Sequence, residues 1–405
     1  MQSRILLPFL SPLNAFVRAG KSLLQAFLLM RRLSTLHSMD RIDVGVLGAT
    51  GMVGQKYLGL LARHPWFRVN FVAASPRSAG LRYGEAVAGR WQQPGEIPAE
   101  LVELVLADAS DIKAAAGRCS LVFSCLEMGK DEVKALELAW AAAGFAVVSN
   151  SSAHRWTEDV PMIIPEINPG HAALIDTQRK RRGFTTGFVA VKPNCSVQSW
   201  LTPVHALREA GYSVERLVVT TFQAASGAGY PGVASLDLID NMVPYIGGEE
   251  EKTEREPLRI LGRMSGEDLL VAEVPLIAAH CNRVAVSDGH GAAVSLGFGA
   301  KKPDLAEVAR IWREFRALPQ ELGLPSAPRE PIIVREEPDR PQPRKDRDAG
   351  GGMAISVGRL RACPVLDLRF FGLSHNTLRG AAGGGVLTAE LLVSRGYIAR
   401  VKAGR

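Results

Sequence analysis

The chain has 405 residues, of which 47% are hydrophobic and 22% are charged. This is the composition of a globular protein, and the length exceeds what one hydrophobic core supports, so we expect at least two domains. No run of apolar residues reaches the roughly 18 that a membrane-spanning helix needs, which argues against a transmembrane segment.

The first 38 residues are basic and leucine-rich, and they contain no acidic residue. Their five cations account for most of the formal net charge of +7, so the remaining charge gives no argument for nucleic-acid binding. Two interpretations stay open: residues 1–38 are an organellar presequence, or the natural start is Met39. The protein is expected in the cytoplasm, or in an organelle if the presequence is genuine. The five cations are Arg4, Arg18, Lys21, Arg31 and Arg32.

The cysteines are odd in number and widely spaced, with no CxxC pair and no Cys/His cluster at zinc spacing. This usage predicts reduced thiols in a reducing compartment and no metal site. The five are Cys119, Cys125, Cys195, Cys281 and Cys363.

From Ile42 onward, predicted strands and helices alternate. IDVGVLG and FRVNFVAAS predict buried strands, and the segment between them has helical apolar spacing at Val53, Tyr57, Leu60 and Leu61. CSLVFSCL and FAVVSNSS predict two more strands, separated by the helical segment DEVKALELAWAAAG. This alternation predicts an α/β fold with a Rossmann-type, doubly wound parallel sheet.

A glycine-rich loop, GATGMVG, follows the first strand and opens the first helix. Glycines let the backbone approach a pyrophosphate, and a helix N-terminus offers free N–H groups, so the loop predicts a dinucleotide site. The spacing is GxxGxxG and not the common GxGxxG, and a tight turn without a ligand is the alternative. The candidate cofactor-binding residues here are Gly48, Thr50, Gly51, Met52, Val53 and Gly54.

The end of the second strand bears on the choice between NAD and NADP. An acidic residue usually binds the ribose 2′-hydroxyl of NAD at this point. This chain has Ser75, Arg77 and Ser78 instead, and such groups bind a 2′-phosphate. The pattern favours NADP, with an ordinary polar turn as the alternative.

Cys195 lies where the predicted strand FVAV meets an amphipathic pattern. Asn194 is a favourable N-cap, so we expect Cys195 to be the first residue of a helix that Pro203 kinks. A helix N-terminus lowers the pKa of a thiol, which predicts a nucleophile. The alternative is a small buried hydrophobic residue. The apolar face of the helix is predicted to comprise Val197, Leu201, Val204 and Leu207.

After Cys195, predicted strands follow one another with few helices between them, which favours a mixed, largely antiparallel sheet in a second α+β domain. A segment rich in proline and charge, residues 328–352, is expected to be an ordered surface loop or arm. The predicted strands are RLVVTTFQAAS, LLVAEVPLIAA, NRVAVSDG, AAVSLGF, GMAISVGRLRA and VLDLRFFGL.

His290 is the candidate proton acceptor for the cysteine, and Arg283 is the candidate ligand of a substrate carboxylate. Their separation is odd, which would put them on opposite faces of one strand, but the Ser-Asp-Gly turn between them can bring both to one side. Gln223 ends another predicted strand and is suited to orienting a substrate. Glu249 and Lys252 fit either a solvated helix end or a site for a substrate ammonium and a phosphate.

Taken together, these motifs resemble the aspartate-β-semialdehyde dehydrogenase family, in the branch typical of fungi and archaea. The resemblance extends over nearly the whole chain from about Asp43. Its blocks are GATGMVG, SPRSAG, VVSNSSAHR, PNCS, QAASGAGYPG, DNMVPYIGGEEEK, CNRVAVSDGH, DRPQPRKDRDAGGGM and HNTLRGAAGGG. Lys192 departs from the asparagine common in relatives and would either add positive potential near the thiolate or face solvent. Ala285 replaces a common proline.

The resemblance implies a role for each site residue. Cys195 would be the acyl-thioester nucleophile and His290 the general acid/base, with Gln223 and Asn194 positioning the acyl oxygen. Arg283 would bind the substrate carboxylate, and Glu249 its ammonium. Glu249 belongs to an acidic triplet, and Glu250 or Glu251 could contact the substrate instead. The phosphate would be held by Arg155 and Lys252, and the nicotinamide would be covered by Asn376 and Gly384.

The resemblance also implies the domain arrangement and partners. The NADP-binding domain would comprise residues 39–194, completed by a C-terminal helix, 376–405, and residues 195–375 would form the catalytic and dimerisation domain. A homodimer or homotetramer is expected.

The implied reaction is the reversible, NADP-dependent reductive dephosphorylation of L-aspartyl 4-phosphate to L-aspartate 4-semialdehyde and phosphate, through an acyl-thioester on Cys195. It serves the biosynthesis of lysine (through diaminopimelate), methionine, threonine and isoleucine. A reductase of malonyl-CoA or another acyl-CoA on the same scaffold is the alternative, and it would need no phosphate or ammonium site. A cofactor-binding protein without catalysis is less favoured, because the set Cys195, His290 and Arg283 is retained.

Overall fold

The computed structural model describes residues 41–399 of the chain, so the segment 1–38 lies outside the described residues. The first sheet has six parallel strands in the order β3-β2-β1-β4-β5-β6. This is the strand order of a doubly wound dinucleotide-binding fold, as predicted. Its strands are β1 (Ile42–Leu47), β2 (Phe67–Ala74), β3 (Ala107–Asp108), β4 (Leu121–Ser124), β5 (Ala146–Ser149) and β6 (Phe188–Val191).

Helices cover both faces of this sheet because successive strand residues point to opposite sides. In β5, Val148 belongs to the hydrophobic cluster that contains Tyr57 of the first helix, whereas Val147 belongs to the cluster that contains Trp140. The helices of this half are α1 (Met52–Leu61), α2 (Tyr83–Ala86), α3 (Ala99–Val102), α4 (Lys130–Ala142) and α5 (Leu174–Arg182).

The remaining helices begin after the nucleophile candidate. They are α6 (Leu201–Glu209), α7 (Ser235–Leu238), α8 (Glu249–Ile260), α9 (Leu305–Glu314), α10 (Leu318–Glu321), α11 (Pro343–Asp346) and α12 (Gly383–Ser394). The strands of this half are β7 (Val214–Gln223), β8 (Arg263–Ser265), β9 (Asp268–Leu270), β10 (Leu276–Arg283), β11 (His290–Phe298), β12 (Ile332–Val334), β13 (Ile355–Ala362) and β14 (Leu368–Ser374).

The second sheet has the order β10-β7-β11-β14-β13-β12. The pairs β7–β11, β11–β14 and β13–β14 are antiparallel, and the pairs β7–β10 and β12–β13 are parallel. This confirms the predicted mixed, largely antiparallel sheet. Strands β8 and β9 form a separate antiparallel hairpin.

Three sequence predictions need correction. NRVAVSDG is not a strand, because β10 ends at Arg283 and the next six residues form the connection to β11. The proline-rich arm is not all loop, since it contributes the edge strand β12 and the short helix α11. The C-terminal helix is shorter than predicted: a π-helical turn, Leu378–Ala382, leads into α12, which ends at Ser394.

Helix α12 packs into the same hydrophobic cluster as the first sheet. Val386, Leu387 and Leu391 lie in this cluster with Val44 of β1 and Leu58 of α1. The packing agrees with the expectation that a C-terminal helix completes the first domain, whose boundaries at 194 and 376 stay predictions. Among the described residues, no helix is long and apolar enough to cross a membrane.

Candidate active site

Cys195 lies in the connection between the two sheets. Strand β6 ends at Val191, a 3₁₀ turn covers Ser196–Ser199, and α6 begins at Leu201. The oxygen Oδ1 of Asn194 accepts a hydrogen bond from the N–H of Ser196 at 2.7 Å. Asn194 therefore caps the turn as predicted.

The turn differs from the predicted single helix. Cys195 precedes one 3₁₀ turn, and Pro203 falls in the first turn of α6, where a missing N–H removes no intrahelical bond. The expected kink inside one continuous helix is therefore absent. The predicted apolar face is buried in full: Val197, Leu201, Val204 and Leu207.

The nucleophile candidate and the proton-transfer candidate are in contact. The Sγ of Cys195 lies 3.3 Å from Nε2 of His290. The other ring nitrogen, Nδ1, accepts a hydrogen bond from the N–H of Ala224 at 3.0 Å. Because Nδ1 is an acceptor, the neutral ring carries its proton on Nε2 and donates it toward the sulfur.

Three neighbouring strands deliver their ends to this point. Gln223 is the last residue of β7, Arg283 the last of β10 and His290 the first of β11. In the sheet, β7 lies between the other two, with Arg283 paired to Gln223 and Gly291 paired to Phe222. The turn between Arg283 and His290 brings both to one end of the sheet, as predicted.

Burial dominates the electrostatics of the thiol. The pKa of Cys195 is raised above the ordinary thiol value, first by burial and next by the carboxylate of Glu249, while Lys192, Arg155 and Arg283 act in the opposite direction. The prediction of a thiol pKa lowered by a helix N-terminus is therefore wrong. The helical segment after Cys195 is a single 3₁₀ turn, so its dipole is small beside the cost of burying a thiolate.

Burial also keeps the imidazole neutral. The pKa of His290 is lowered to about 3, first by burial and then by the positive charges of Arg283 and His375. The hydrogen bond from Ala224 acts in the same direction, because an imidazolium would place a second proton on Nδ1 against that N–H.

Gly227 leaves space beside the guanidinium of Arg283 and the imidazole of His290. A Cβ at this position would lie 2.8 Å from Nη1 of Arg283 and 3.1 Å from Nε2 of His290. Arg283 is further held by a 2.7 Å hydrogen bond from its Nη1 to the carbonyl of Ala224. The guanidinium and the imidazole therefore reach the same small volume, which only a residue without a side chain leaves open.

We expect Gly227→Ala to lower kcat/KM by at least about tenfold without unfolding the protein, because the added methyl displaces both side chains. The measurement is steady-state kinetics together with thermal unfolding. Gly59→Ala is the matched control, since no atom lies within 4 Å of its added Cβ on helix α1. The explanation fails if the two variants have equal activity.

Glu249 is the member of the acidic triplet that faces the site. Asn194 donates to its two oxygens at 3.0 and 2.9 Å, Gln223 donates at 3.3 Å, and Lys252 donates at 2.7 Å. Glu250 instead accepts from the backbone of Cys281. Three sequence-predicted residues thus converge on the carboxylate of a fourth, Glu249.

Arg155 is also in the site, but it is engaged by a residue that the sequence did not reveal. Its Nη1 donates to Oε1 of Glu256 at 2.8 Å, and its Nε donates to the carbonyl of Lys192 at 3.1 Å. The other oxygen of Glu256 accepts from the N–H of Asn194 at 2.6 Å. Glu256 therefore links Arg155 to the backbone beside the nucleophile.

The two residues predicted to cover the nicotinamide, Asn376 and Gly384, lie against other parts of the site. Asn376 accepts from the N–H of Gly289 and donates to Oγ of Ser226, each at 2.8 Å, so it connects the two loops that carry the catalytic residues. Gly384 lies in the first turn of α12, where an added Cβ would lie 3.5 Å from Cε of Lys192.

The glycine loop borders a cleft of about 370 Å³ at the carboxyl ends of β1 to β4. Gly48, Thr50 and Gly51 line this cleft, whereas Met52 and Val53 belong to α1 behind them. Gly48 has φ +76°, and a Cβ on Gly54 would lie 2.2 Å from the carbonyl oxygen of Gly48. No side chain caps α1, so the N–H groups of its first turn are open to an anion, and the loop fits a dinucleotide pyrophosphate.

The far end of the cleft bears on cofactor choice. Ser75 lines it, while Arg77 and Ser78 lie on an exposed turn just beyond. The residues lining this cleft that the sequence did not single out include Arg90, and Asp108 at the end of β3. Asp108 accepts from the N–H and the hydroxyl of Ser110, each at 2.8 Å. Within residues 41–399, no group of three potential metal ligands is found.

Comparison with known proteins follows the same division of the chain. The family described as Semialdehyde dehydrogenase, NAD binding domain, matches residues 43–175, and Semialdehyde dehydrogenase, dimerisation domain, matches residues 204–379. An aspartate-semialdehyde dehydrogenase of Archaeoglobus fulgidus is 46% identical over 360 residues, covering 88% of this chain and 100% of the relative. The chain belongs to the aspartate-semialdehyde dehydrogenase family.

Fungal members of the aspartate-semialdehyde dehydrogenase family are similarly related. The Aspergillus fumigatus enzyme is 46% identical over 367 residues, covering 89% of this chain and 99% of the relative. The crystal structure of the Candida albicans enzyme with NADP has a TM-score of 0.80 and 38% identity, covering 88% of this chain and 100% of that chain. These relatives confirm the resemblance predicted from the motifs, and they confirm the fold class.

Proposed function

We propose that this protein is an NADP-dependent aspartate-semialdehyde dehydrogenase. It interconverts L-aspartyl 4-phosphate with L-aspartate 4-semialdehyde and phosphate, within amino-acid biosynthesis. The observation that carries the proposal, beside family membership, is the contact between Sγ of Cys195 and Nε2 of His290 next to Glu249 and Arg283. A thiol, a proton-carrying ring, a cation and a carboxylate are what a thioester route for an amino-acid aldehyde requires.

Cys195 is the nucleophile of the proposed mechanism. Its thiolate attacks the aldehyde carbon to form a thiohemiacetal, and loss of hydride from that carbon leaves an acyl-thioester. Phosphate attacks the thioester in the second half of the reaction and restores the thiol. Bound NADP supplies the hydride chemistry as acceptor or donor. The covalent link divides one difficult step into two easier ones.

His290 serves as the proton-carrying partner. Its Nε2–H points at the sulfur, and it can hydrogen-bond to the oxygen on which charge develops during attack or hydride transfer. To act as a base at Nε2, the ring would first have to lose the proton that it carries there. The geometry therefore supports the donor half of the predicted acid/base role, with Gln223 and Asn194 positioning the acyl oxygen beside it.

The substrate is recognised by opposite charges at its two ends. Arg283 binds the α-carboxylate, because a guanidinium offers a bidentate match to a carboxylate. Glu249 binds the ammonium after exchanging its hydrogen bonds from Asn194, Gln223 and Lys252, of which only Lys252 balances its charge.

Lys252 is the main ligand proposed for the substrate phosphate. It is half-buried, and substrate ammonium at Glu249 would release its ammonium for the incoming phosphate. Arg155 adds positive potential while it remains paired with Glu256.

NADP would be held along the glycine loop, by Gly48 to Gly54 at the pyrophosphate and by Ser75, Arg77 and Ser78 at the 2′-phosphate. Asn376 and Gly384 would cover the nicotinamide. Arg77→Ala is expected to raise KM for NADP by about tenfold and to leave KM for NAD unchanged, because only NADP carries the phosphate. Initial rates with both cofactors measure this. Arg90→Ala is the parallel variant, and the assignment of Arg77 is wrong if only Arg90→Ala changes KM for NADP.

The activity is tested by NADP reduction with L-aspartate semialdehyde, with and without phosphate. The proposal expects sustained turnover only with phosphate, since phosphate releases the thioester. The second candidate, reduction of malonyl-CoA or another acyl-CoA, would be supported if an acyl-CoA oxidised NADPH and the semialdehyde did not react. The carboxylate–lysine pair of Glu249 and Lys252 favours the semialdehyde, because an acyl-CoA substrate gives this pair no role.

We also propose that the enzyme is a homodimer or a homotetramer. Strand β10 lies at an edge of the second sheet, and its residue Leu276 is 68% exposed. Other large apolar side chains of this half are also exposed, as expected of an interface. These side chains are Leu236, Ile239, Met242 and Tyr245. Light scattering of the purified protein would contradict the proposal if it gave a monomer.

The proposed location is the cytoplasm, or an organelle if residues 1–38 are a presequence.

A further inference from the structure

Lys192 is a buried lysine beside the nucleophile that the proposed mechanism does not use. It directly follows β6, and only 3% of its surface is exposed. Its ammonium donates to the carbonyl of Pro193 at 2.8 Å and also to the carbonyl of Gly380. The sequence left open whether this side chain faces solvent, and the structure shows that it does not.

The two carbonyls belong to segments that enclose Cys195 from opposite sides. Pro193 lies two residues before the cysteine, and Gly380 belongs to the π-helical turn before α12. Gly380 packs directly on the nucleophile, since a Cβ there would lie 2.7 Å from Cβ of Cys195. One ammonium therefore holds together the two pieces of backbone between which the thiol is placed.

Burying an ammonium without a salt bridge is costly, so its position calls for a compensating charge. The charged groups around Lys192 are Arg155 behind its own carbonyl, Glu256 from α8, Arg379 from the π-helical turn, and Cys195. Glu166 lines the same small cavity and is paired with Arg379 at 2.8 Å. Glu256 is likewise paired with Arg155, so of these charged groups only Cys195, once ionised, offers Lys192 an unpaired anion.

The ionisations of Lys192 and Cys195 depend on each other. Burial lowers the pKa of Lys192 to about 7, Arg155 and Arg379 act in the same direction, and Cys195 and Glu256 oppose them. In return, Lys192 lowers the pKa of the Cys195 thiol. The ammonium and the thiolate therefore favour each other.

We propose that Lys192 is a positioning residue for the nucleophile: its ammonium ties the Cys195 turn to the π-helical turn, and its charge stabilises the thiolate between them. His290 is neutral and blocked at Nδ1, so it supplies a hydrogen bond to the sulfur but no positive charge. Positive charge that favours the thiolate comes instead from Lys192, the first of the three cations that act on the thiol, with Arg155 and Arg283. This inference rests on the proposed role of Cys195.

The test is the rate of iodoacetamide alkylation at Cys195 between roughly pH 5 and pH 10, a range that spans thiol ionisation. Mass spectrometry of the Cys195 peptide separates this reaction from that of the other thiols. Lys192→Gln keeps hydrogen-bond donors and removes the charge, whereas Lys192→Met removes both. We expect both variants to be alkylated about tenfold more slowly at neutral pH, with the profile moved up by about one pH unit.

Lys302→Gln is the charge-matched control, because Lys302 is a half-exposed lysine paired with Asp367 at the surface. Its alkylation profile should equal that of the wild type. A wild-type profile in Lys192→Gln would overturn the proposal, since the amide retains the donors without the charge. Thermal unfolding verifies that each variant is folded, and Lys192→Gln alone decides the matter if Lys192→Met does not fold. Alkylation needs no substrate, so failure here is distinguishable from failure of the proposed activity.

Discussion

Replacement of Cys195 by serine is expected to reduce phosphate-dependent NADP reduction by about 10⁴-fold or more. The hydroxyl occupies nearly the same space, so the fold and the cofactor cleft remain. The chemistry is lost because a serine hydroxyl is a far weaker nucleophile at neutral pH than a thiolate. His290, in the tautomer that its bond from Ala224 assigns, also offers no acceptor nitrogen to activate that hydroxyl. Steady-state kinetics and NADP titration by fluorescence measure the two effects separately.

Cys363→Ser is the matched control for this experiment. Cys363 lies at the connection between β13 and β14, and it is a free thiol that is likewise partly exposed. The variant should keep wild-type activity. Substantial turnover by Cys195→Ser would show that the acyl group is carried elsewhere, and the proposed mechanism would then be wrong.

His290→Ala should lower kcat by about 10²- to 10⁴-fold, because the donor at the reacting oxygen is removed. His290→Gln should be less impaired than His290→Ala, since an amide N–H can reach toward the same volume. The comparison of the two variants, made at saturating substrate, measures the value of hydrogen-bond donation without proton uptake. Equal impairment of both variants would argue that proton transfer, and not donation, is the role of the ring.

The pH dependence separates the same two roles. The pKa of His290 is lowered to about 3, so the ring is neutral above that pH and remains neutral from about pH 5 to pH 9. The wild-type rate profile should therefore show no inflection from His290 in this range. An inflection near pH 6 to 7 that disappears in His290→Gln would contradict a neutral ring.

Much of the fold could be predicted because its signals are local. The alternation of apolar strands with helical spacing from Ile42 onward predicts a parallel sheet, and β1 to β6 form one. The Ser-Asp-Gly turn predicts that Arg283 and His290 reach one side, and both lie at the same end of the second sheet. The strand predicted across NRVAVSDG is wrong, because β10 ends at Arg283 and the turn toward His290 begins directly after it.

The contacts that set the chemistry could not be predicted, because they join residues distant in sequence. The carboxylate of Glu256 binds the N–H of Asn194 across 62 positions, and the N–H of Ala224 fixes the His290 tautomer across 66. Lys192 reaches the carbonyl of Gly380 across 188 positions. None of these partners has a distinctive local pattern, and each of the three contacts has one backbone group, which a sequence does not single out.

The thiol shows how local and tertiary effects compete. The Asn-Cys-Ser pattern correctly predicts a cap and a helical turn, and a local argument then assigns the thiol a lowered pKa. Tertiary packing reverses the sign, because burial and the nearby Glu249 carboxylate raise the pKa of Cys195.

The thioester mechanism is tested most directly by a rapid-mixing experiment with L-aspartate semialdehyde and NADP in the absence of phosphate. A burst of NADPH stoichiometric with the enzyme is expected, followed by a near halt of NADPH formation. Mass spectrometry should then find an aspartyl group on the Cys195 peptide, and added phosphate should remove it. Sustained turnover without phosphate, or a burst that leaves Cys195 unmodified, would contradict the thioester mechanism.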